Sequence, residues 1–176
     1  EIACLTSTGY RDWHRVDAGP LGCASSVSSE YHPRVVVNEF ASLWPSLPSP
    51  RFVTVNSNLA HAPFHRPPAD MLPVGYPPTT NDRERFEAMI VALDDNVGRM
   101  LASVDLRRTL VIVVGDNGTP GPVAPEPERA KDTTFERGVR VPLIVAGGPT
   151  AKPGRRTNEL VHVVDLWSTI VAAGGD

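Results

Sequence analysis

The sequence predicts an α/β fold: a partial, mostly parallel central sheet with helices on its faces. Three observations carry that expectation. The run Thr109-Leu110-Val111-Ile112-Val113-Val114 is rich in β-branched residues, bounded by polar and turn residues, and too short for a typical helix. It reads as a strand buried on both faces. A second apolar run, Val141 to Ala146, has the same character. Between Arg83 and Val104, Phe86, Ile90, Leu93, Val97, Met100 or Leu101, and Val104 recur at steps of four and three, one stripe of a helix facing a core.

Taken in order, residues 1 to 30 carry turn and polar signals, with Gly9, Gly19-Pro20 and serines between Ser25 and Ser29. They read mostly as loop, with at most a short strand. Pro33 to Trp44 spaces Val36, Val37, Phe40, Leu43 and Trp44 as a helix does, with proline in the first turn and Pro45 and Pro48 as stops. Arg51-Phe52-Val53-Thr54-Val55 is a strand, and with the long helix and the strand ending at Val114 it makes a unit expected to cross over right-handed and parallel. Asp165 is placed to cap a short helix from Leu166 to Ala173, ended by Gly174-Gly175. The chain thus supplies three inner strands and three helices. A partial sheet of this kind exposes an edge and a face, so the chain alone is expected to be marginal or prone to aggregation.

The 176 residues, 41% apolar and 21% charged, suit one globular domain. A formal charge of -3 gives no reason to expect a nucleic-acid partner. No apolar run is long enough to span a membrane. Cys4 and Cys23 are too few to define a disulfide framework, and the spacing leaves open whether they pair. The 18 prolines, many in Leu47 to Pro78 and Thr119 to Pro127, imply long irregular loops on a rigid scaffold.

Asp116 stands one step past the end of the strand at Val114, followed by Asn117 and Gly118. In open α/β sheets ligands bind outside the carboxyl ends of strands, so a carboxylate and an amide oxygen there are candidate metal ligands. Asp-Asn-Gly is equally a common turn. His61 and His65 lie in the loop after the strand at Val55. Each is either a donor to a bound anion or a loop histidine tied to backbone. Lys131 by itself is a solvated cation. Asp94 and Asp95, adjacent on a helix, point in different directions and read as solvated or structural carboxylates. His162 reads as structural.

The order strand, Asp116-Asn117-Gly118, loop, Lys131-Asp132-Thr133-Thr134-Phe135-Glu136-Arg137-Gly138-Val139-Arg140-Val141-Pro142 and strand resembles the C-terminal part of the catalytic domain of sulfatases, in the alkaline-phosphatase-like superfamily. Further matching stretches are Asn58 to Pro68, Leu93-Asp94-Asp95-Asn96-Val97-Gly98 and Val161-His162-Val163-Val164-Asp165-Leu166, in the family's order and spacing. The match is firm from Arg51 to Gly174 and thinner over residues 1 to 50. The resemblance implies a sulfuric ester hydrolase. Such an enzyme attacks sulfur with a formylglycine nucleophile, holds one calcium ion on Asp and Asn oxygens, and acts on a sulfate-ester small molecule or sulfated glycan. It assigns Asp116 and Asn117 to calcium. Lys131 and His61 become catalytic contacts to the sulfate, with His65 a further substrate-binding candidate.

Two departures stand out. Arg137 occupies a position that is usually glycine in the family, where a side chain tightens the loop or narrows the pocket. Cys23-Ala24-Ser25-Ser26-Val27 only faintly resembles the nucleophile signature, since its fifth residue is not arginine, so Cys23 reads as an ordinary small cysteine. The nucleophile and the remaining calcium ligands are therefore expected on an N-terminal part outside this chain, and the chain alone is expected to be inactive. A phosphate or phosphonate ester hydrolase of the same superfamily and a catalytically inactive binding module are the alternatives. A periplasmic or secreted location is a family tendency only.

Overall fold

The computed structural model describes residues 2–5, 13–19, 22–28, 31–148, 150 and 153–174. Its strands are β1 (Ile2–Leu5), β2 (Trp13–Gly19), β3 (Gly22–Ser28), β4 (Phe52–Val55), β5 (Leu110–Val114) and β6 (Leu143–Gly147). The helices are α1 (His32–Leu43), α2 (Asp82–Leu101), the four-residue α3 (Glu136–Val139) and α4 (Leu166–Gly174). The mixed α/β class is as expected. The expectation of loop over the first thirty residues is corrected: β2 and β3 form an antiparallel hairpin from Trp13 opposite Ser28 to Gly19 opposite Gly22. Serine and glycine carry little strand propensity of their own, and cross-strand pairing supplies what the local sequence lacks.

The strands form three separate pairs among the described residues rather than one mostly parallel sheet. β1 and β4 pair parallel, while β5 and β6 pair antiparallel with Val114 opposite Leu143 and Leu110 opposite Gly147. A parallel return needs a crossover, usually a helix, whereas an antiparallel one needs only a loop. The connection between β5 and β6 contains no helix longer than α3, and its end is tied to its start by the Gly115 N–H donating to the Pro142 carbonyl at 3.1 Å. The unit from Arg51 to Val114 likewise shows no pairing between β4 and β5 among the described residues. Nor is β5 buried on both faces: Leu110 to Val113 are half-buried, and Val114 is exposed. With one partner strand, both faces lack full cover.

The core lies between α1, α2 and the loop after β4. Pro33 sits in the first turn of α1, as the sequence suggests. Val36, Val37 and Phe40 are its buried apolar face, and Phe40 stacks on Trp44 with centroids 5.6 Å apart. Val53, Val55, Met100 and Val104 pack around that pair. A second cluster joins Leu59, Met71, Met89 and Ala92, with Phe64 and Leu93 beside it. The buried stripe of α2 is Ala88, Met89, Ala92 and Asn96, rotated from the larger residues expected, and Ile90 is exposed. Alanines let the neighbouring segments approach closely, and Asn96 Nδ2 reaches the Pro33 carbonyl at 3.1 Å, satisfying a buried amide across the α1–α2 contact.

Near the C-terminus Asp165 directly precedes α4. It sits at the third position of a 3-10 turn, Val163–Asp165, accepting from the His162 backbone at 2.7 Å while His162 Nδ1 accepts from Val164 N at 3.2 Å. That reciprocal box gives His162 its structural task. Among the described residues no helix is long and apolar enough to cross a membrane.

Candidate functional site

β5 ends at Val114, and the chain turns at Gly115 into Asp116, which is exposed, and Asn117, which is half-buried. What fixes this turn is the segment around α3. Gly118 N donates to the Gly138 carbonyl and Thr119 N to the Arg137 carbonyl, both at 3.1 Å, and Lys131 N donates to the Thr119 carbonyl at 2.9 Å. With the bond between Gly115 and Pro142, the Asp-Asn-Gly loop and the lysine loop are laced together by backbone groups. That spends polar groups a loop would otherwise have to solvate. The approach leaves no room for side chains at two points. A Cβ on Gly118 would lie 2.0 Å from the Arg137 carbonyl oxygen, and one on Gly138 2.2 Å from that of Thr133.

Lys131 is half-buried and follows Ala130, which is fully buried. Asp132 turns the chain with φ 71°, a left-handed conformation that aspartate tolerates better than most residues. Thr133 then donates from both its N–H, at 3.2 Å, and its Oγ1, at 2.7 Å, to the Ala130 carbonyl. The lysine is thus carried on a closed turn whose root is buried.

His61 and His65 stand on the other loop, after β4. His61 is exposed, and its Nδ1 lies 2.8 Å from the Ala62 carbonyl. A carbonyl only accepts, so Nδ1 carries a proton, and Nε2 is an acceptor in the neutral ring and a donor in the imidazolium. His65 is half-buried, with Nδ1 3.0 Å from the Pro63 carbonyl and Nε2 2.7 Å from the Tyr31 hydroxyl. Both of its ring nitrogens are engaged by the protein, which suits a loop-ordering role. The structure therefore brings Asp116, Asn117 and Lys131 together on interlocked loops and sets the two histidines on a separate one.

Asp116 and Asn117 offer hard oxygen donors of the type calcium takes. Asn117 Nδ2 is 3.4 Å from the Gly118 carbonyl, which leaves Oδ1 as its ligating atom. The donor chemistry fits, but the number does not complete a site of about six to eight oxygens. Among the described residues no group of three or more His, Cys, Asp or Glu side chains could hold a metal ion. Asp95 is committed to Arg99 at 2.6 Å, in line with a structural carboxylate.

Sequence signals missed the residues that frame the lysine loop. Glu126 reaches Arg129 at 3.2 Å and Arg137 at 3.8 Å, and the Arg129 guanidinium lies 4.5 Å from the centroid of Phe135. Arg83 on α2 donates to the Val123 carbonyl at 3.4 Å, fixing the proline-rich loop from the other side. Glu136 and Arg140 make a loose exposed pair at 3.9 Å.

Asp116 and Asn117 follow the end of β5, and backbone bonds join their loop to the one that carries Lys131. The family model that matches the chain is that of Sulfatase, over residues 6–175, and the chain belongs to that family. It is 31% identical to the N-acetylgalactosamine-6-sulfatase of Canis lupus familiaris over 107 residues, 54% of this chain and 20% of that protein. A sulfatase of Formosa agariphila is 32% identical over 105 residues, 51% of this chain and 19% of that protein. The human N-acetylgalactosamine-6-sulfatase is 30% identical over 107 residues. The match spans about a fifth of the length of these relatives.

Proposed function

We propose that this chain is the later part of the catalytic domain of a metal-dependent sulfuric ester hydrolase. In that reading, residues 1–176 complete one mostly parallel sheet with the rest of the domain. The observation that supports it best is the lacing of the Asp116-Asn117 turn to the Lys131 loop by backbone bonds. In a chain of the sulfatase family, this lacing supports reading Asp116 and Asn117 as ligands for a cation and Lys131 as the cation for the sulfate oxygens.

The reaction breaks the S–O bond of a sulfate ester, with water supplying the hydroxyl that ends on sulfur and the proton that ends on the released alcohol. Asp116 and Asn117 would hold the calcium ion, which when bound neutralises charge on the sulfate group and orients the nucleophile. Lys131 pairs with the non-bridging sulfate oxygens, which carry negative charge in the bound ester and in the transition state. His61, with its Nδ1 proton held by the Ala62 carbonyl, donates from Nε2 to the leaving oxygen when the ring is protonated. His65, fastened at both nitrogens, keeps the loop in shape. The formylglycine nucleophile and the other calcium ligands come from residues outside 1–176. The substrate is a sulfate-ester small molecule or a sulfated glycan.

The test compares hydrolysis of an aryl sulfate and of the matching aryl phosphate by the natural protein that contains these residues. A kcat/KM at least about tenfold higher for the sulfate is expected, together with loss of activity on chelation of calcium. Preference for the phosphate would reassign the site to phosphoryl chemistry, and turnover of neither would indicate a binding module.

A further inference from the structure

We infer that Glu126, Arg129 and Arg137 form a clamp that holds the Lys131 loop in position, with Arg137 as a positioning residue for oxyanion binding. The inference rests on the proposed sulfate-ester site. Its ground is a closed circuit of contacts around one loop. The Glu126 carboxylate uses Oε1 toward Arg137, at 3.8 Å, and Oε2 toward Arg129, at 3.2 Å. Arg129 in turn lies over the Phe135 ring at 4.5 Å. One carboxylate and one aromatic ring thereby join the two limbs of the segment that runs from Glu126 to Arg137, and Lys131 lies between them.

Backbone bonds through Thr119 also link Lys131 to Arg137, and the side-chain circuit adds a hold at the outer ends of the two limbs. Their interior is short 3-10 and turn structure, Pro127–Arg129 and then the turn at Asp132, with Ala130 as the one buried residue of the segment. A loop of this length with joined ends is a compact Ω-like unit, ordered by its own side chains. Arg137 has a second hold that the other members lack. Its carbonyl accepts from Thr119 N, two residues beyond Asn117, so one residue connects the metal-side turn, the proline-rich loop and the lysine loop. A glycine at this position would keep the carbonyl contact and lose the guanidinium. Exposed ion pairs are individually weak and sensitive to salt, so the clamp adjusts loop position rather than global stability.

The experiment uses the natural protein containing this chain, with Arg137→Gly, Arg137→Lys, Glu126→Gln and the charge swap Glu126→Arg with Arg137→Glu. Three readouts are taken: amide exchange of residues 126–137, the inhibition constant of inorganic sulfate, and kcat and KM for an aryl sulfate. Arg137→Gly and Glu126→Gln are expected to speed exchange in this segment alone and to weaken sulfate about three- to tenfold. KM should rise in step while kcat changes less than about twofold, because an ill-placed lysine loses binding to ground state and transition state alike. The charge swap restores an ion pair between positions 126 and 137 but sets two like charges at 126 and 129, so it is expected to recover less than half of the loss, and Arg137→Lys to fall between wild type and glycine. Raising salt from about 0.05 to 0.5 M should weaken sulfate binding more in wild type than in Arg137→Gly.

Unchanged exchange in both single variants overturns the clamp, whatever the activity. Faster exchange with unaltered sulfate binding and KM overturns the positioning role. A wild type that neither binds sulfate nor turns over any ester refutes the proposed site, and the exchange data then still decide whether the clamp exists.

Discussion

At Gly118 a single added methyl group would sit 2.0 Å from the Arg137 carbonyl oxygen, a backbone atom that cannot rotate away. Gly118→Ala must therefore push apart the Asp116 turn and the α3 segment, breaking the bonds from Gly118 and Thr119. A loss of about 2 kcal/mol in unfolding free energy is expected, at the upper range of ordinary substitutions. Calcium affinity should fall with it, as urea melts and metal titration would show. His61 leads to a different expectation. Because its Nδ1 proton is held by the Ala62 carbonyl, only the imidazolium has an Nε2 proton to give. His61→Ala should cost about 10²-fold in kcat for poor leaving groups and much less for an activated aryl sulfate that needs no proton, the usual mark of general acid help. Asp116 and Asn117 stood out in the sequence by their place past a strand end, and Lys131 by the family resemblance; the structure sets all three on loops joined by backbone bonds. The framing residues Glu126 and Arg129 were not, since a surface glutamate and arginine acquire meaning only when folding brings Arg137 and Phe135 against them.

At the scale of elements, α2 was the most legible and also the most instructive in its error. Its limits, Asp82 and Leu101, lie within a few residues of those the periodicity gives. Its buried face differs because Ala88 and Ala92, weak hydrophobic signals in sequence, are what permits close packing against the neighbouring segments. Met89 is fully buried there, and Met89→Ala is expected to cost about 3 kcal/mol by chemical denaturation. The helix start is held by Asn81, whose side chain accepts from Glu84 N at 3.0 Å, and by Glu84, which accepts from Thr80 N at 2.6 Å and Thr80 Oγ1 at 2.9 Å. Asn81→Ala should cost about 1 kcal/mol. The bonds from the Thr80 backbone and then its hydroxyl hold the Glu84 carboxyl below its ordinary value of 4.5. A lowered folded value means the contribution is complete above the unfolded value and fades as pH falls through the folded one. The stability gap between wild type and Glu84→Gln, measured by urea melts, should accordingly be constant near neutrality and shrink in acid below about 4.5. The pairing of β5 with β6 was illegible for a different reason: strand propensity says nothing of direction, and direction here follows from how the connecting loop ties back on itself.

For the whole molecule the exposed apolar surface decides what to expect in solution. Ile144 and Val145 on β6, and Leu160, Val161, Val163, Val164 and Trp167 around the last 3-10 turn and α4, are all exposed. No residue of α4 is buried. Side chains this apolar, grouped in sequence, favour self-association, as does an antiparallel pair whose outer edges have no partner strand among the described residues. The 176-residue chain by itself is expected to show concentration-dependent sedimentation, and Trp167→Glu to reduce it. A monodisperse monomer at high concentration would contradict that. In the proposed function the laced loops carry the metal ligands and the sulfate-binding lysine of a sulfuric ester hydrolase. The most direct test of that reading is to measure aryl sulfate turnover and bound calcium together, in the natural protein containing these residues, for wild type, Asp116→Ala and Lys131→Ala. The account predicts a fall of about 10²-fold or more in kcat/KM for both variants, with calcium lost from Asp116→Ala and retained by Lys131→Ala. Turnover and calcium content equal to wild type in both would contradict it.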